Sequence, residues 1–110
     1  MISGLFFLLP VVHLMSQQTL QGSILHDGLQ REYILYVPAS YTPGTPVPLV
    51  LNFHGYTSNA LEQMFYGDFR PIADTAGFII VHPMGTVDIL GNTHWNVGWG
   101  TSSVDDVGFA

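Results

Sequence analysis

Two short apolar runs, Leu49–Phe53 and Phe78–Val81, stand out in a chain that otherwise mixes polar and apolar residues. A strand that is buried on both faces has a continuous apolar pattern, and such strands belong to parallel sheets that helices cover. The segment between the two runs is long enough for the helical crossover of a βαβ unit. The pattern therefore predicts two parallel strands joined by a right-handed helical connection.

The segment between these runs contains residues with which helices begin and end. Asn59 followed by Glu62 is typical of an N-cap with a partial capping box. Gly67 interrupts the helical spacing, and Asp68 is placed to cap a second helical segment. Gly77 occupies the position of a left-handed C-cap. We therefore predict two consecutive helices before the second strand.

An antiparallel hairpin is predicted before the first apolar run. Its strands are Thr19–Leu25 and Arg31–Val37, and the second is rich in aromatic and β-branched residues. The dipeptide Asp27-Gly28 indicates a turn, within a loop that we expect to be longer than two residues. Pro38 ends the second strand because it has no N–H to donate to the ladder. The predicted fold class is α/β, with this hairpin leading into the parallel βαβ sheet.

The first 12 residues form an apolar segment at the start of the chain. It is too short to span a bilayer but has the length of a signal-peptide core, although no Lys or Arg precedes it. We predict that residues 1–16 are a signal peptide or leader and that residues 17–110 belong to one domain. The protein is then expected to be secreted or periplasmic. The alternatives are a buried N-terminal strand or non-native leader sequence before Met15.

The composition excludes several classes of function. Hydrophobic residues make up 47% of the 110 residues, charged residues only 9%, and the formal net charge is −6. Arg31 and Arg70 are the only fixed cations, so we expect neither nucleic-acid binding nor a polybasic membrane anchor. The sequence contains no cysteine, which excludes a thiolate nucleophile and a cysteine-based zinc site within these residues.

The step His54-Gly55-Tyr56 ends the first apolar run and is the strongest candidate for chemistry. Ligands of open α/β sheets bind beyond the carboxyl ends of the strands, and Gly55 allows a ligand to approach the backbone closely. A backbone N–H near Tyr56 is thus predicted to face the oxyanion of a tetrahedral intermediate. The His54 side chain is expected to hold the loop rather than to act as a base. The alternative is a strand-end histidine that only caps a turn.

No nucleophile elbow of the form Gly-x-Ser-x-Gly is present. The segment Gly100-Thr101-Ser102-Ser103-Val104 comes close, but Val104 replaces the second glycine and no apolar strand precedes it. No histidine follows Ser102, so the order serine, acid, histidine cannot be completed within these residues. We therefore predict that Ser102 is not the nucleophile.

The glycine-rich stretch Pro83–Ser103 is predicted to be irregular, and loops of this length are usually functional. Trp95, Asn96 and Trp99 within it combine aromatic surface with a polar group. They are candidates for the wall of a pocket that binds a sugar or aryl ring. Ordinary packing of the loop is an equally good interpretation.

The remaining titratable residues suggest neither a metal nor a cofactor. His82, Asp88 and His94 could in principle bind zinc, but their spacing matches no compact metal motif. Asp105 and Asp106 are adjacent, so they would not face each other on a helix and are better explained as its first turn. His13 and His26 are interpreted as a leader residue and a turn residue; we predict no metal and no cofactor.

Taken together, these segments resemble the N-terminal part of the polyhydroxybutyrate depolymerase/feruloyl esterase-like family of secreted α/β-hydrolases. The resemblance rests on the order and spacing of Leu29–Tyr33, Tyr36-Val37-Pro38, Pro48-Leu49-Val50, His54-Gly55 and Asp105–Phe109. It implies a serine carboxylic ester hydrolase whose oxyanion hole involves His54, Gly55 and Tyr56. It also implies that residues 17–110 are the N-terminal portion of an α/β-hydrolase domain.

The same resemblance implies that the nucleophile, the acid and the base lie beyond Ala110, so we expect these 110 residues alone to be inactive. The implied substrate is an ester of the feruloyl, acetyl-xylan or polyester type, linked to a polysaccharide or a polyester. A different class of function remains as the alternative: a noncatalytic secreted saccharide-binding module, or a degenerate fragment.

Overall fold

A computed structural model describes residues 16–110. The predicted leader, including His13, lies almost entirely outside the described residues. The prediction that residues 17–110 form part of one domain stays a prediction.

The predicted hairpin is present, with strands β1 (Gln18–His26) and β2 (Leu29–Val37). His26 pairs directly with Leu29, so the loop consists only of Asp27 and Gly28. Both loop residues have positive φ, 51° and 80°, as a type I′ turn requires. The expectation of a longer loop was wrong, because Asp and Gly both tolerate the left-handed conformation and close the tightest hairpin.

The two apolar runs form the parallel strands β3 (Leu49–Leu51) and β4 (Ile79–Pro83). The sheet has the order β1-β2-β4-β3, in which β2 and β4 are antiparallel and β3 and β4 are parallel. The first run forms a shorter strand than predicted, since Phe53 lies beyond it. The predicted α/β arrangement of a hairpin followed by a βαβ unit is found.

Helices α1 (Ala60–Tyr66) and α2 (Arg70–Ala76) connect β3 to β4. The Asn59 side chain accepts a hydrogen bond from the Glu62 N–H at 2.8 Å, which confirms the predicted cap. Gly77 ends α2 in the left-handed conformation. The prediction for Asp68 was wrong in position: Phe69 is the N-cap of α2, and Asp68 accepts a hydrogen bond from the Arg70 N–H at 3.0 Å.

Both helices pack on one face of the sheet. The buried core there consists of Ile34 with Ala60 and Met64, and of Tyr36 with Ala73 and Ile80. Within the described residues, the other face carries apolar side chains that are largely exposed, including Leu20, Leu49 and Leu51.

The segment predicted to be irregular contains a small second sheet. Strands β5 (Thr86–Val87) and β6 (Thr93–His94) pair antiparallel and form the hairpin that we call the β5–β6 hairpin, residues 86–94. Strands of this length carry no periodic pattern that a sequence reading could detect. A final short helix, α3 (Asp106–Phe109), begins where the acidic pair predicted it, with Asp105 as its N-cap.

Candidate functional site

The segment 54–58, which we call the His-Gly loop, leaves the carboxyl end of β3. The chain after β4 passes beside it, because β3 and β4 are parallel neighbours and their carboxyl ends meet at one edge of the sheet. The Gly85 N–H donates a hydrogen bond of 3.0 Å to His54 Nε2, which links the ends of the two strands directly. The loop thus lies where α/β sheets bind ligands.

The His54 side chain is buried, and both of its ring nitrogens are hydrogen-bonded to backbone groups of the protein. It is 2% exposed, and its Nδ1 lies 2.7 Å from the Gly55 carbonyl oxygen. Because Nε2 accepts from Gly85, Nδ1 must carry the proton and donate to that carbonyl, which fixes one neutral tautomer. Trp95 covers the ring at a centroid distance of 5.0 Å. With both nitrogens engaged, the ring holds the loop and is not placed to take a proton from a nucleophile.

The direction of the Tyr56 N–H follows from what holds the preceding carbonyl. The Gly55 carbonyl oxygen accepts from His54 Nδ1 and from the Ser58 N–H, the latter at 3.1 Å. The C=O and N–H of a trans peptide point in opposite directions, and no cis peptide occurs among residues 16–110. The Tyr56 N–H therefore points away from these donors, and no acceptor among residues 16–110 is hydrogen-bonded to it.

Open space lies beside this peptide group. Gly55 is exposed, and a β-carbon built on it would meet no atom within 4 Å. A pocket beside the loop is lined by Gly55 and Ser58 together with residues of α1: Glu62, Gln63, Phe65 and Tyr66. A ligand can therefore reach the backbone at Gly55 without displacing a side chain.

Thr57 has a backbone conformation that β-branched residues rarely adopt. Its φ is 70°, in the left-handed region, where such residues are strained by about 1–3 kcal/mol. Two hydrogen bonds hold it there: the Thr57 N–H donates to the Thr93 carbonyl at 2.9 Å, and the Thr93 hydroxyl donates to the Ser58 carbonyl at 2.6 Å. Strained residues of this kind are typical of functional loops.

The side chain of Tyr56 extends toward the β5–β6 hairpin. Its hydroxyl donates to Asp88 Oδ2 at 3.0 Å and accepts from Asn92 Nδ2 at 3.0 Å. Asp88 Oδ1 accepts from the Leu90 and Asn92 N–H groups. Burial alone would raise the pKa of Asp88, but the hydrogen bonds from Asn92, Tyr56 and Leu90 outweigh it and lower that pKa. The carboxylate therefore stays ionised at neutral pH.

The three candidate pocket residues have different surroundings in this structure. Trp95 adjoins the His-Gly loop, where its Nε1–H donates to the His54 carbonyl at 2.8 Å and its ring meets Phe53 edge-on. The Asn96 amide is engaged elsewhere, since it donates to the Val104 carbonyl at 2.9 Å. Trp99 is 82% exposed. Of the three, only Trp95 contacts the loop: its indole N–H bonds to the His54 carbonyl, and its ring packs against the His54 ring.

The candidate metal ligands are not brought together either: no group of three or more His, Cys, Asp or Glu side chains that could hold a metal occurs in the described part of the chain. His82 is buried, and its burial lowers its pKa. His94 Nδ1 lies 2.8 Å from the Thr86 carbonyl, so it serves the β5–β6 hairpin. Ser102 accepts a hydrogen bond from the Val104 N–H in an irregular segment, without the strand-to-helix turn of a nucleophile elbow.

The two acidic residues at α3 contact different partners. Asp106 Oδ1 receives a hydrogen bond of 2.6 Å from Arg31, and both side chains are buried. Asp105 Oδ2 lies 3.0 Å from His26 Nε2. His26 is therefore the last residue of β1 and a partner of α3, where the sequence suggested only a turn residue.

Sequence reasoning missed the residues that support the His-Gly loop from a distance, namely Asp88, Asn92 and Thr93. A local clue to the turn was available, because an Asp whose carboxylate accepts hydrogen bonds from the N–H groups two and four residues later is typical of Asx-type turns. It also missed Asn52, which is buried and links the C-terminal end of α1 to β3 through Gln63 and Gly67. Nothing in the sequence indicated their partners, which lie on other elements.

Two known proteins resemble this chain over part of their length. No protein-family model matches the chain. The chain is 32% identical over 76 residues to the bifunctional acetylxylan esterase/xylanase XynS20E of Neocallimastix patriciarum, over 63% of the chain and 11% of that protein. An S-formylglutathione hydrolase from Agrobacterium tumefaciens has a similar structure, with a TM-score of 0.60 at 20% identity, over 73% of this chain and 32% of that one.

The chain therefore spans only a small part of either protein. The structural similarity shows the fold alone: the described residues have the strand and helix arrangement of part of the S-formylglutathione hydrolase chain. None of the helices among residues 16–110 has the length and apolar character that crossing a membrane requires.

Proposed function

We propose that this chain is the N-terminal part of a serine carboxylic ester hydrolase and that its His-Gly loop supplies an oxyanion donor. The observation that carries the proposal is the direction of the Tyr56 N–H. The Gly55 carbonyl is held by two donors, so the N–H on the other side of the same peptide points away from them. It has no hydrogen-bond acceptor among residues 16–110, and the Gly55 α-carbon beside it borders open space. A free, fixed N–H at the carboxyl edge of the sheet is what an oxyanion hole requires.

The proposed chemistry assigns the Tyr56 N–H a role only when negative charge develops. A serine hydroxyl attacks the ester carbonyl, its proton passes to the histidine, and the carbonyl oxygen becomes an oxyanion. The Tyr56 N–H donates a hydrogen bond to that oxygen. The intermediate then collapses with loss of the alcohol, and water releases the acid from the acyl-enzyme. We propose that the serine, the acid and the histidine of this triad lie beyond Ala110 in a longer protein.

We propose an acyl ester carried by a polysaccharide as the substrate, with a polyester chain as the competing possibility. The support is the sequence similarity to a protein named as an acetylxylan esterase/xylanase. The pronounced negative charge of the chain fits a neutral substrate better than an anionic one. Export of the protein is part of the proposal and rests on the apolar N-terminal run.

The noncatalytic saccharide-binding alternative receives less support from the geometry. It requires Trp95, Asn96 and Trp99 to present a common surface. The Trp95 N–H and the Asn96 amide instead bond to backbone carbonyls of the chain itself. Absence of saccharide binding by the unmodified protein would exclude this alternative, whereas binding that is lost when both indole rings are removed would support it.

The proposal is tested by hydrolysis of an aryl acetate by the full-length protein and two variants. Tyr56→Pro removes the donor and is expected to lower kcat by about 100- to 1000-fold. Gly55→Ala causes no steric clash but places a methyl group in the open space where the substrate would lie. We therefore expect kcat to fall while the midpoint of urea unfolding stays unchanged. Unchanged turnover in a folded Tyr56→Pro or Gly55→Ala protein would rule out the oxyanion assignment.

A further inference from the structure

The His-Gly loop is held mainly by another part of the chain, the β5–β6 hairpin. The Tyr56 hydroxyl is hydrogen-bonded to Asp88 and Asn92 of this hairpin. The Thr57 N–H donates to the Thr93 carbonyl, and the Ser58 carbonyl accepts from the Thr93 hydroxyl. The loop has only one hydrogen bond of its own between backbone groups, from Ser58 to Gly55, within the described residues. Its shape therefore depends on a contact between segments some thirty positions apart.

Asp88 is the residue on which this contact converges. It is 7% exposed, and one carboxylate oxygen accepts from the Tyr56 hydroxyl while the other accepts from two amides of the hairpin turn. The same side chain thus closes the turn and fixes the loop to it. Hydrogen bonds to an ionised acceptor are stronger than neutral ones.

We propose that Asp88 is a positioning residue: through the Tyr56 hydroxyl it fixes the orientation of the Gly55–Tyr56 peptide, and with it the direction of the candidate oxyanion donor. This inference rests on the proposed function. Thr57 supplies the mechanical reason, because its left-handed conformation is unfavourable by itself and persists only while the flanking residues are held. Loss of the Tyr56–Asp88 bond frees one of those flanks.

The first arm of the test does not depend on catalysis. Amide hydrogen exchange is followed by NMR in the full-length protein and in its Tyr56→Phe and Asp88→Asn variants. The Thr57 and Ser58 amides are expected to exchange about tenfold faster in both variants, because local opening becomes easier by one hydrogen bond. The Asn52 and Ile79 amides, which bond to carbonyls of neighbouring backbone outside the loop, serve as internal references and should not change.

Tyr36→Phe is the matched control. It removes another tyrosine–aspartate bond, from the Tyr36 hydroxyl to Asp74 Oδ1 at 2.6 Å, which lies under α2 and not at the loop. Its loss should lower overall stability without changing exchange at Thr57 relative to the references. Equal acceleration at Thr57 in this control would show that general loosening, and not the link to Asp88, explains the effect.

The second arm tests whether Asp88 positions the candidate oxyanion donor or only stabilises the folded protein. Tyr56→Phe and Asp88→Asn should lower kcat for an aryl acetate by about tenfold while KM changes by less than about twofold, as expected when only transition-state contacts weaken. Tyr36→Phe should leave both unchanged at a temperature where it is folded. Unchanged exchange at Thr57, or faster exchange with unchanged kcat, would overturn the inference. If the unmodified protein hydrolyses no ester, the proposed function fails, and the exchange arm alone decides whether Asp88 holds the loop.

Discussion

At the scale of single residues, the site is defined by backbone groups and not by reactive side chains. His54 uses both ring nitrogens to hold the loop, and Gly55 contributes open space and a fixed carbonyl. Tyr56 offers its N–H as the proposed oxyanion donor, and its hydroxyl supports the loop. The sequence predicts a site at this tripeptide, but the distinct contacts of each residue could not be read from it.

Thr57 gives a prediction at this scale. Thr57→Gly should raise the free energy of unfolding by about 1 kcal/mol, because relief of the strain exceeds the greater flexibility of glycine in the unfolded chain. The same substitution at Thr75, inside α2, should lower the free energy of unfolding by about 0.5 kcal/mol, because glycine is a poorer helix former than threonine. Urea unfolding measures both. A loss of stability in Thr57→Gly would show that the threonine side chain contributes more than its conformation costs.

At the scale of elements, the hairpin, the two parallel strands and the helix caps could be predicted because their causes are local. Asp27-Gly28 closes its own turn, and Asn59 caps its own helix. The β5–β6 hairpin could not be predicted, since each strand has only two residues and the hairpin is hydrogen-bonded to the His-Gly loop, a distant segment of the chain. The pairing of Arg31 with Asp106 also joins distant segments.

The Arg31–Asp106 pair gives a prediction about how α3 is attached to the sheet. Both side chains are buried, at 1% and 7% exposure, and the Arg31 guanidinium also lies 4.0 Å from the centre of the Phe109 ring. Arg31→Met alone should lower the free energy of unfolding by about 3–5 kcal/mol, because it leaves the Asp106 charge buried without a partner.

The double variant Arg31→Met/Asp106→Leu is the control for this prediction. It removes both charges, so it should recover much of the loss, although the Asn96 N–H also loses its acceptor. Urea unfolding of the two single variants and the double variant gives the coupling between the two residues. Additive losses would contradict the claim that the charges depend on each other.

At the scale of the whole molecule, the sheet order and the connecting helices place the His-Gly loop, with the proposed oxyanion donor, at the edge where the carboxyl ends of β3 and β4 meet. The fold resembles part of the S-formylglutathione hydrolase, and the fold class was predicted because parallel strands have a clear apolar pattern, although Leu49 and Leu51 of β3 are exposed. The partners of the loop across the molecule could not be predicted, since nothing in a single sequence indicates which distant residues meet. The exposed apolar face opposite the helices is a further property that appears only when the strands are assembled.

The central claim is that the Tyr56 N–H binds the oxyanion of the reaction. It is tested most directly by the NMR signal of the Tyr56 amide in the full-length protein when an arylboronic acid is added. A boronic acid adds to an activated serine and forms a tetrahedral anion that resembles the reaction intermediate. We expect the Tyr56 amide proton to move downfield and to become protected from exchange, while the Tyr36 amide is unaffected. An inhibitor that abolishes hydrolysis and leaves the Tyr56 amide signal and its exchange rate unchanged would contradict the claim.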